Sequence, residues 1–341
     1  MSGKTDKASF LKKLYSRDVH ISRLLIMLAA VLIVMLLLKP EKFYSIANFK
    51  TMAAQFPEFG IMALGIMLCM ITGGIDLSVV GVANFTAISS GVVLKSMVDS
   101  NGNLLGYGIM ATLLFGIMIG AATGFINGLL VSKIQIPPIL ATLGSYELFT
   151  GIGIILTKGK AIADLPLEYS ELITAKLLGA IPVQLIIFVL MACLIAFLLA
   201  RTTYGTRIYM LGTNITAARF SGLKTGSLLI RTYALSGICA ALGGLVMLAN
   251  YNSARADYGT VYTLQCVLIV VLGGVNPNGG HGRISGVVLA ILVLQMLSSG
   301  LNFFPQISNF YKSLIWGSVL LIVMVMNYST ENKSAKRVKA A

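Results

Sequence analysis

Apolar stretches long enough to cross a membrane recur along almost the whole chain. A spanning helix needs about 20 mostly apolar residues. The strict alternation of apolar and polar residues that marks a membrane β-barrel is absent from these stretches, so helices are the expected spanning elements. The pattern predicts an all-α polytopic membrane protein with about ten transmembrane helices. The predicted spans are 23–38, 52–71, 79–94, 106–131, 138–157, 181–200, 232–250, 261–272, 284–303 and 312–326.

Composition and charge place both ends of the chain on one side of the membrane. The 341 residues are 57% hydrophobic and 11% charged, against roughly 25% charged in soluble domains. We predict one transmembrane domain, 23–328, between a basic leader, 1–22, and a basic tail, 329–341. The positive-inside rule puts both in the cytoplasm. The net charge of +14 then reflects topology and anionic membrane lipid, and we expect no nucleic-acid partner.

A long basic segment, 201–231, interrupts the apolar chain on the predicted cytoplasmic side. Connections in compact domains usually have about six residues, so the length favours a docking surface for a partner over a solvated connector. Within it we predict a short helix. Asn214 is a plausible N-cap, Gly222 can end the helix, and Ala217 and Ala218 are small enough for a partner to come close. Arg219 would project towards that partner.

A second polar break separates the predicted second and third spans. Gly73 and Gly74 can end one helix, and Asp76 can accept hydrogen bonds from the first amides of the next. An acid between two apolar spans is also a candidate for the solute pathway or its gate. Both roles stay open, and they can coexist. Ser78 and Asn84, close by in sequence, are further pathway or gate candidates.

Two other features lie inside predicted spans. Four glycines repeat every fourth residue on one helix face, which favours close helix packing over direct contact with a solute. Asn127, beside them, faces either the pathway or a packing partner. Glu147 is expected to face the protein interior, with pairing and solute contact both open. The four glycines are Gly116, Gly120, Gly124 and Gly128.

Three segments resemble a known family, the inner-membrane permeases of ribose- and galactose-type ABC importers. They are 74–79 (GIDLSV), the cytoplasmic loop 204–222 (YGTR, GTN and AARFSG), and the turn 271–282 (VLGG and GGHG). The run 136–144 (IPPILATLG) resembles permeases for autoinducer-2 and related sugars. Departures from the family pattern stand at Val80, Gly81, Ile215 and 275–277. The coupling residues that the resemblance implies are Gly205, Arg207, Gly212, Asn214, Ala217, Ala218, Arg219, Ser221 and Gly222.

The resemblance implies a permease subunit for a simple sugar or sugar-like solute, with no enzymatic activity of its own. Gly159-Lys160 is followed by Ala161 and not by Ser or Thr, so a phosphate-binding loop is missing. The expected partners are ABC ATP-binding subunits that use ATP–Mg, a second permease copy or paralogue, and an extracytoplasmic solute-binding protein. No cofactor or metal site is expected on this chain. The alternatives are an ion-coupled secondary transporter using Asp76 and Glu147 and, more remotely, a membrane-embedded enzyme.

Overall fold

The computed structural model describes residues 19–99, 104–177, 179–306, 311 and 314–325. Its helices are α1 Val19–Leu38, α2 Pro40–Phe43, α3 Ile46–Ile71, α4 Val79–Ser96, α5 Gly108–Ser132, α6 Pro138–Thr157, α7 Leu167–Thr174, α8 Val183–Arg201, α9 Thr203–Thr213, α10 Ile215–Phe220, α11 Thr225–Tyr251, α12 Thr260–Leu272, α13 Ile284–Leu301 and α14 Leu314–Val325. Two short strands, β1 Lys176–Leu177 and β2 Ile181–Pro182, form an antiparallel pair.

Each of the ten predicted spans coincides with a helix, which confirms the all-α polytopic fold. Eight of the described helices are long and apolar enough to cross a membrane, and α12 and α14 are shorter apolar helices. Of the predicted leader, only 19–22 is described, as the start of α1, and the tail 329–341 lies outside the described residues. Successive crossings place the start of α1 on the same side as α9 and α10. We call this the coupling side, and the other the far side.

Helices α3, α4 and α11 form the centre of the bundle. Most residues of these three helices are buried, whereas α1, α5, α6 and α8 bury fewer than two fifths of theirs and expose broad apolar faces. An apolar face that the protein leaves open in a spanning helix is suited to lipid or to another membrane subunit. The bundle therefore has three inner helices that pack against neighbouring helices on most sides.

The glycine stripe packs α5 directly against α11. A β-carbon on Gly124 would collide with the carbonyl oxygen of Tyr233, and one on Gly128 would lie 2.6 Å from the Cα of Ile230. Gly237 of α11 lies equally close from the other side, since a β-carbon added to it would lie 2.9 Å from the Cα of Gly124. Gly120 faces the same stretch of α11, and Gly116 faces Leu245. The structure thus supports the packing interpretation of the stripe.

The segment 201–231 is almost entirely helical and does not form an extended loop. Arg201 ends α8, α9 and α10 follow, and α11 begins at Thr225, seven residues before the predicted span. Helix α3 likewise begins at Ile46, before the predicted residue 52. In both cases the helix begins several residues before the apolar run, because helical hydrogen bonds do not require an apolar side chain.

Candidate functional site

The three motif segments meet at one place on the coupling side, which we call the three-segment junction. It consists of the break 72–78, helix α9 and the turn 273–282. The amide of Gly280 donates to the carbonyl of Ile71 at 2.9 Å, and the Tyr209 hydroxyl donates to the carbonyl of Gly282 at 2.7 Å. A β-carbon on Gly212 would lie 2.5 Å from the nitrogen of Gly280 and would collide with the carbonyl of Ile71. The junction is therefore a backbone-to-backbone contact.

The Tyr209 hydroxyl contributes a neutral hydrogen-bond donor to this contact. Burial raises the pKa of its hydroxyl above the ordinary value, and the nearby Arg283 guanidinium opposes this shift only in part. Since the ordinary pKa of tyrosine is already about 10, the hydroxyl stays protonated at neutral pH. It therefore remains a donor to the turn.

A buried carboxylate lies at the centre of the break. Asp76 is 1% exposed, and its Oδ1 accepts the Ser78 amide at 3.0 Å and the Ser78 hydroxyl at 2.6 Å. Its Oδ2 accepts the Ser236 hydroxyl of α11 at 2.7 Å. The Asn127 side chain of α5 donates to the Ser78 Oγ at 2.7 Å. One hydrogen-bonded chain thus joins the break to α5 and α11, and it brings together three of the predicted candidates, Asp76, Ser78 and Asn127.

The break satisfies its own backbone groups, as expected of a helix end. Gly73 has φ +85°, a left-handed conformation that glycine adopts readily, and its amide donates to the carbonyl of Met70 at 3.0 Å. The amide of Leu77 donates to the Thr142 hydroxyl of α6 at 3.1 Å. The predicted cap is corrected in one respect. Asp76 accepts the amide of Ser78, which precedes α4, and not the first amides within α4.

A cavity of about 700 Å³ opens beside the junction. Its walls come from the break, the start of α6, the helices α9 and α10, and the start of α11. Tyr233 lines it, and its buried hydroxyl has no hydrogen-bond partner in the part of the chain that the structure describes. Arg219 lines the same cavity. This space adjoins both the start of the break and the coupling helices.

Helix α10 has the predicted cap and end but not the predicted surface. The Asn214 side chain accepts the amide of Ala217 at 2.9 Å, and Gly222 has φ +78° just past the helix. Ala218, however, is 3% exposed and faces the permease itself, whereas Ala217 is exposed. The expectation that Ala218 approaches a partner is therefore wrong, because the packed face of this short helix runs through Ala218. Phe220 is 88% exposed.

The other predicted coupling residues hold the segment together or lie on its surface. Gly205 lies against the backbone of Leu199, where a β-carbon would come within 2.6 Å of that residue's Cα. The Ser221 hydroxyl donates to the carbonyl of Ala217 at 3.0 Å. Arg207 is exposed. Their role towards a partner remains a prediction.

Two predicted pathway candidates do not belong to the junction. The Asn84 side chain donates to the carbonyls of Ala256 and Tyr258, both at 2.8 Å, and so fixes a loop on the far side. Glu147 was expected to face the interior, but it is exposed. The inner face of α6 passes through Thr142, which contacts the break, and Glu147 lies outside that face. Apolar residues surround α6 on every side, so the sequence does not show which face is buried.

A second buried acid, Glu58, is not among the residues singled out from sequence. It is 3% exposed in the far-side half of α3. Its carboxylate accepts Asn250 at 3.0 Å, Tyr251 at 3.4 Å and, closely, the Tyr262 hydroxyl. Its position inside the predicted span 52–71 was the available signal, because an acid at membrane depth needs partners within the protein.

The fold and the junction define a multi-pass membrane permease whose glycine-rich segments pack a helical connector against a helix break. The chain belongs to the family described as branched-chain amino acid transport system / permease component, whose model matches residues 48–324. Members of this family are transport permease subunits of ABC importers in the bacterial inner membrane, and not enzymes, so the ion-coupled alternative is not favoured.

Two similar proteins carry the same description. The chain is 31% identical over 287 residues to the autoinducer 2 import system permease protein LsrC of Yersinia pestis strain Pestoides F. The match covers 84% of this chain and 79% of that protein. Identity and coverage are the same for the protein of that name from Yersinia pseudotuberculosis serotype O:3 strain YPIII. No solved structure matches the chain.

Proposed function

We propose that this permease forms the translocation pathway of a binding-protein-dependent ABC importer for a sugar-like solute, with autoinducer 2 as the first candidate. The similar LsrC proteins carry that solute in their name. In this proposal separate subunits hydrolyse ATP–Mg, an extracytoplasmic protein delivers the solute, and a second permease copy or paralogue completes the pathway. The coupling side then faces the cytoplasm.

The surface of α10 carries the proposal. One face of this helix packs on the permease through Ala218, while Phe220 at its end is 88% exposed. Arg219 and Ile215 are exposed beside it. An aromatic ring this open, with an arginine as neighbour, is typical of residues that anchor protein interfaces. This composition suits a groove on an ATP-binding subunit.

Helix α9 supplies a mechanical connection from that surface to the pathway. It adjoins α10, and its Gly212 lies in backbone contact with both the break and the turn 273–282. A displacement of α10 by closure of the ATP-binding subunits would therefore reach Ile71 and Gly280 without passing through flexible side chains. Packed interfaces of this kind switch between discrete arrangements instead of deforming continuously.

Glu147 supports a second permease copy or paralogue. It lies midway along α6, on a face left open by this chain, with exposed Leu143 and Leu148 beside it. A carboxylate at membrane depth is costly against lipid and normally faces another protein segment or a water-filled path. An adjoining permease subunit or the pathway between the two subunits would provide that environment.

The proposal is tested by reconstituting the permease with ATP-binding subunits and a solute-binding protein from the same organism. Uptake of autoinducer 2 should require ATP and should persist when the proton gradient is collapsed. Ala217→Trp should prevent the ATP-binding subunits from co-purifying, because the added ring occupies the exposed face of α10. Ala161→Trp, at an exposed alanine on the far side, should leave co-purification intact. Uptake driven by an ion gradient in ATP-free vesicles would contradict the proposal.

A further inference from the structure

A second cavity, of about 550 Å³, lies inside the permease on the far side. Its walls come from the far-side ends of α3, α11, α12, α13 and α14. It is separate from the cavity at the three-segment junction, and no residue lines both. Its volume falls within the roughly 300–1,000 Å³ of small-molecule sites.

The cavity is lined by groups that form hydrogen bonds with hydroxyls. The Glu58 carboxylate accepts three side-chain donors at its edge, and the Gln295 amide donates to Gln55 at 3.3 Å across the wall. Carboxylate and carboxamide groups each offer two polar atoms in one plane, which suits neighbouring hydroxyls on a solute. This is the chemistry expected of a site for a polyhydroxylated molecule.

Two further groups line the cavity without partners. Gln265 is 4% exposed and Trp316 is 1% exposed, and both line the cavity. Within the part of the chain that the structure describes, neither the Gln265 amide nor the Trp316 indole N–H has a hydrogen-bond partner. Neither group is among the fully enclosed side-chain atoms that lack a partner, so the polar atoms of both are accessible from the cavity. A polar molecule in the cavity would find in them hydrogen-bonding groups that the described chain leaves free.

The charge of the lining distinguishes between solute classes. Among the described residues that line the cavity, Glu58 is the one carboxylate and none is a lysine or arginine. The ammonium of an amino acid would pair with Glu58, but no lysine or arginine among these residues would compensate its carboxylate, and burying an unpaired charge is strongly unfavourable. A neutral polyol brings no such charge, and the rings of Tyr262 and Trp316 offer apolar surface to its C–H faces.

We propose that this cavity is a binding site for a neutral polyhydroxylated solute within a single permease subunit, with Gln265 and Trp316 as hydrogen-bond donors to it. The site would receive the solute on the far side, before it reaches the junction. This inference rests on the proposed function for its solute class, and it adds a location separate from the interface between two permease subunits.

The test uses Trp316, which is the single tryptophan of the chain, as a reporter in the purified full-length permease. Its fluorescence is titrated with autoinducer 2, D-ribose and L-leucine. We expect saturable change with at least one of the two polyols and none with L-leucine. Direct titration is preferable to the KM of uptake, because a solute-binding protein would dominate the latter. Saturation by L-leucine alone, or no response to any of the three, would overturn the proposal.

The decisive variant is Gln265→Leu. Loss of one uncharged hydrogen bond should raise the Kd for the polyol roughly fivefold to tenfold. The unfolding temperature should not fall, because the amide has no partner to lose within the described chain. Thr86→Val is the matched control, since the Thr86 hydroxyl is also buried and unpaired in the described chain but lies outside the cavity. It should leave the Kd unchanged.

The outcomes separate this inference from the proposed function. If the complete transporter takes up autoinducer 2 but Gln265→Leu binds it with the wild-type Kd, the cavity is not the site and the function stands. If the wild-type transporter takes up neither polyol, the proposed solute class fails, whatever the titration shows. A raised Kd in Gln265→Leu, an unchanged Kd in Thr86→Val and ATP-dependent uptake by the wild-type transporter together support both.

Discussion

Gly212→Ala tests whether the three-segment junction transmits movement. The added methyl carbon would lie 2.5 Å from the nitrogen of Gly280, where ordinary contact begins at 3.4 Å, and it would also collide with the carbonyl of Ile71. Helix α9 must therefore move away from the break and the turn by roughly 1 Å, since backbone on both sides leaves no flexible atom to yield. Overpacking of this kind costs about 1–3 kcal/mol.

Helix propensity acts in the opposite direction. Alanine within α9 is favoured over glycine by up to about 1 kcal/mol, so the local helix itself should be no less stable. The net cost therefore falls on the packing of α9 against the break and the turn 273–282. A cost of about 1.4 kcal/mol changes the equilibrium between packed and displaced α9 tenfold. We expect the variant to insert and fold while the ratio of solute-stimulated to basal ATP hydrolysis falls about tenfold in the reconstituted transporter.

Gly226→Ala provides the matched control for this experiment. Gly226 lies in the first turn of α11, also on the coupling side, and a β-carbon there would meet no atom closer than 4.0 Å. The gain in helix propensity is therefore not offset, and stimulated hydrolysis should equal that of the wild type. The reasoning is refuted if Gly212→Ala keeps both the wild-type unfolding temperature and the wild-type stimulation ratio.

Three other variants address the Asp76 network, the glycine stripe and the outer face of α6. Asp76→Asn should fold and transport, because its amide keeps an acceptor for Ser78. Asp76→Ala should destabilise the permease, because it leaves buried hydroxyls unpaired at roughly 1–3 kcal/mol each. A folded but inactive Asp76→Asn would show that charge is required. Gly124→Val should lower the unfolding temperature through its clash with the carbonyl of Tyr233, and an unchanged melting curve would contradict the packing. Glu147→Leu should reduce uptake; unchanged uptake with raised stability would place this face against lipid.

The sequence predicts the spans well because the length and apolarity of a helix are themselves set by the membrane. It also predicts the cap at Asn214 and the break at Gly73, since both depend on local backbone chemistry. It does not predict that Ala218 is buried or that Glu147 is exposed. Those facts depend on which face of a uniformly apolar or very short helix meets its neighbours, and single residues carry no such signal.

The far-side cavity is the clearest case of information that sequence does not contain. Its polar lining comes from five helices, and Glu58 and Gln295 are separated by more than two hundred residues. In sequence each of these residues is an isolated polar position in or beside an apolar run. Only the packing of α3 against α12 and α13 brings them together, so the site could be located from the structure alone.

Helix α3 connects the far-side cavity to the three-segment junction as one rigid element. Glu58 lies in the cavity wall and Ile71 in the junction, and the helix between them is unbroken. Their separation is about 20 Å at 1.5 Å per residue, so a tilt of roughly 10° about the junction would move Glu58 by about 3.5 Å. That distance exceeds the length of the hydrogen bond that Asn250 donates to it. A small tilt of α3 at the coupling side would therefore make or break the hydrogen bonds of Glu58 on the far side. The helix itself would stay folded.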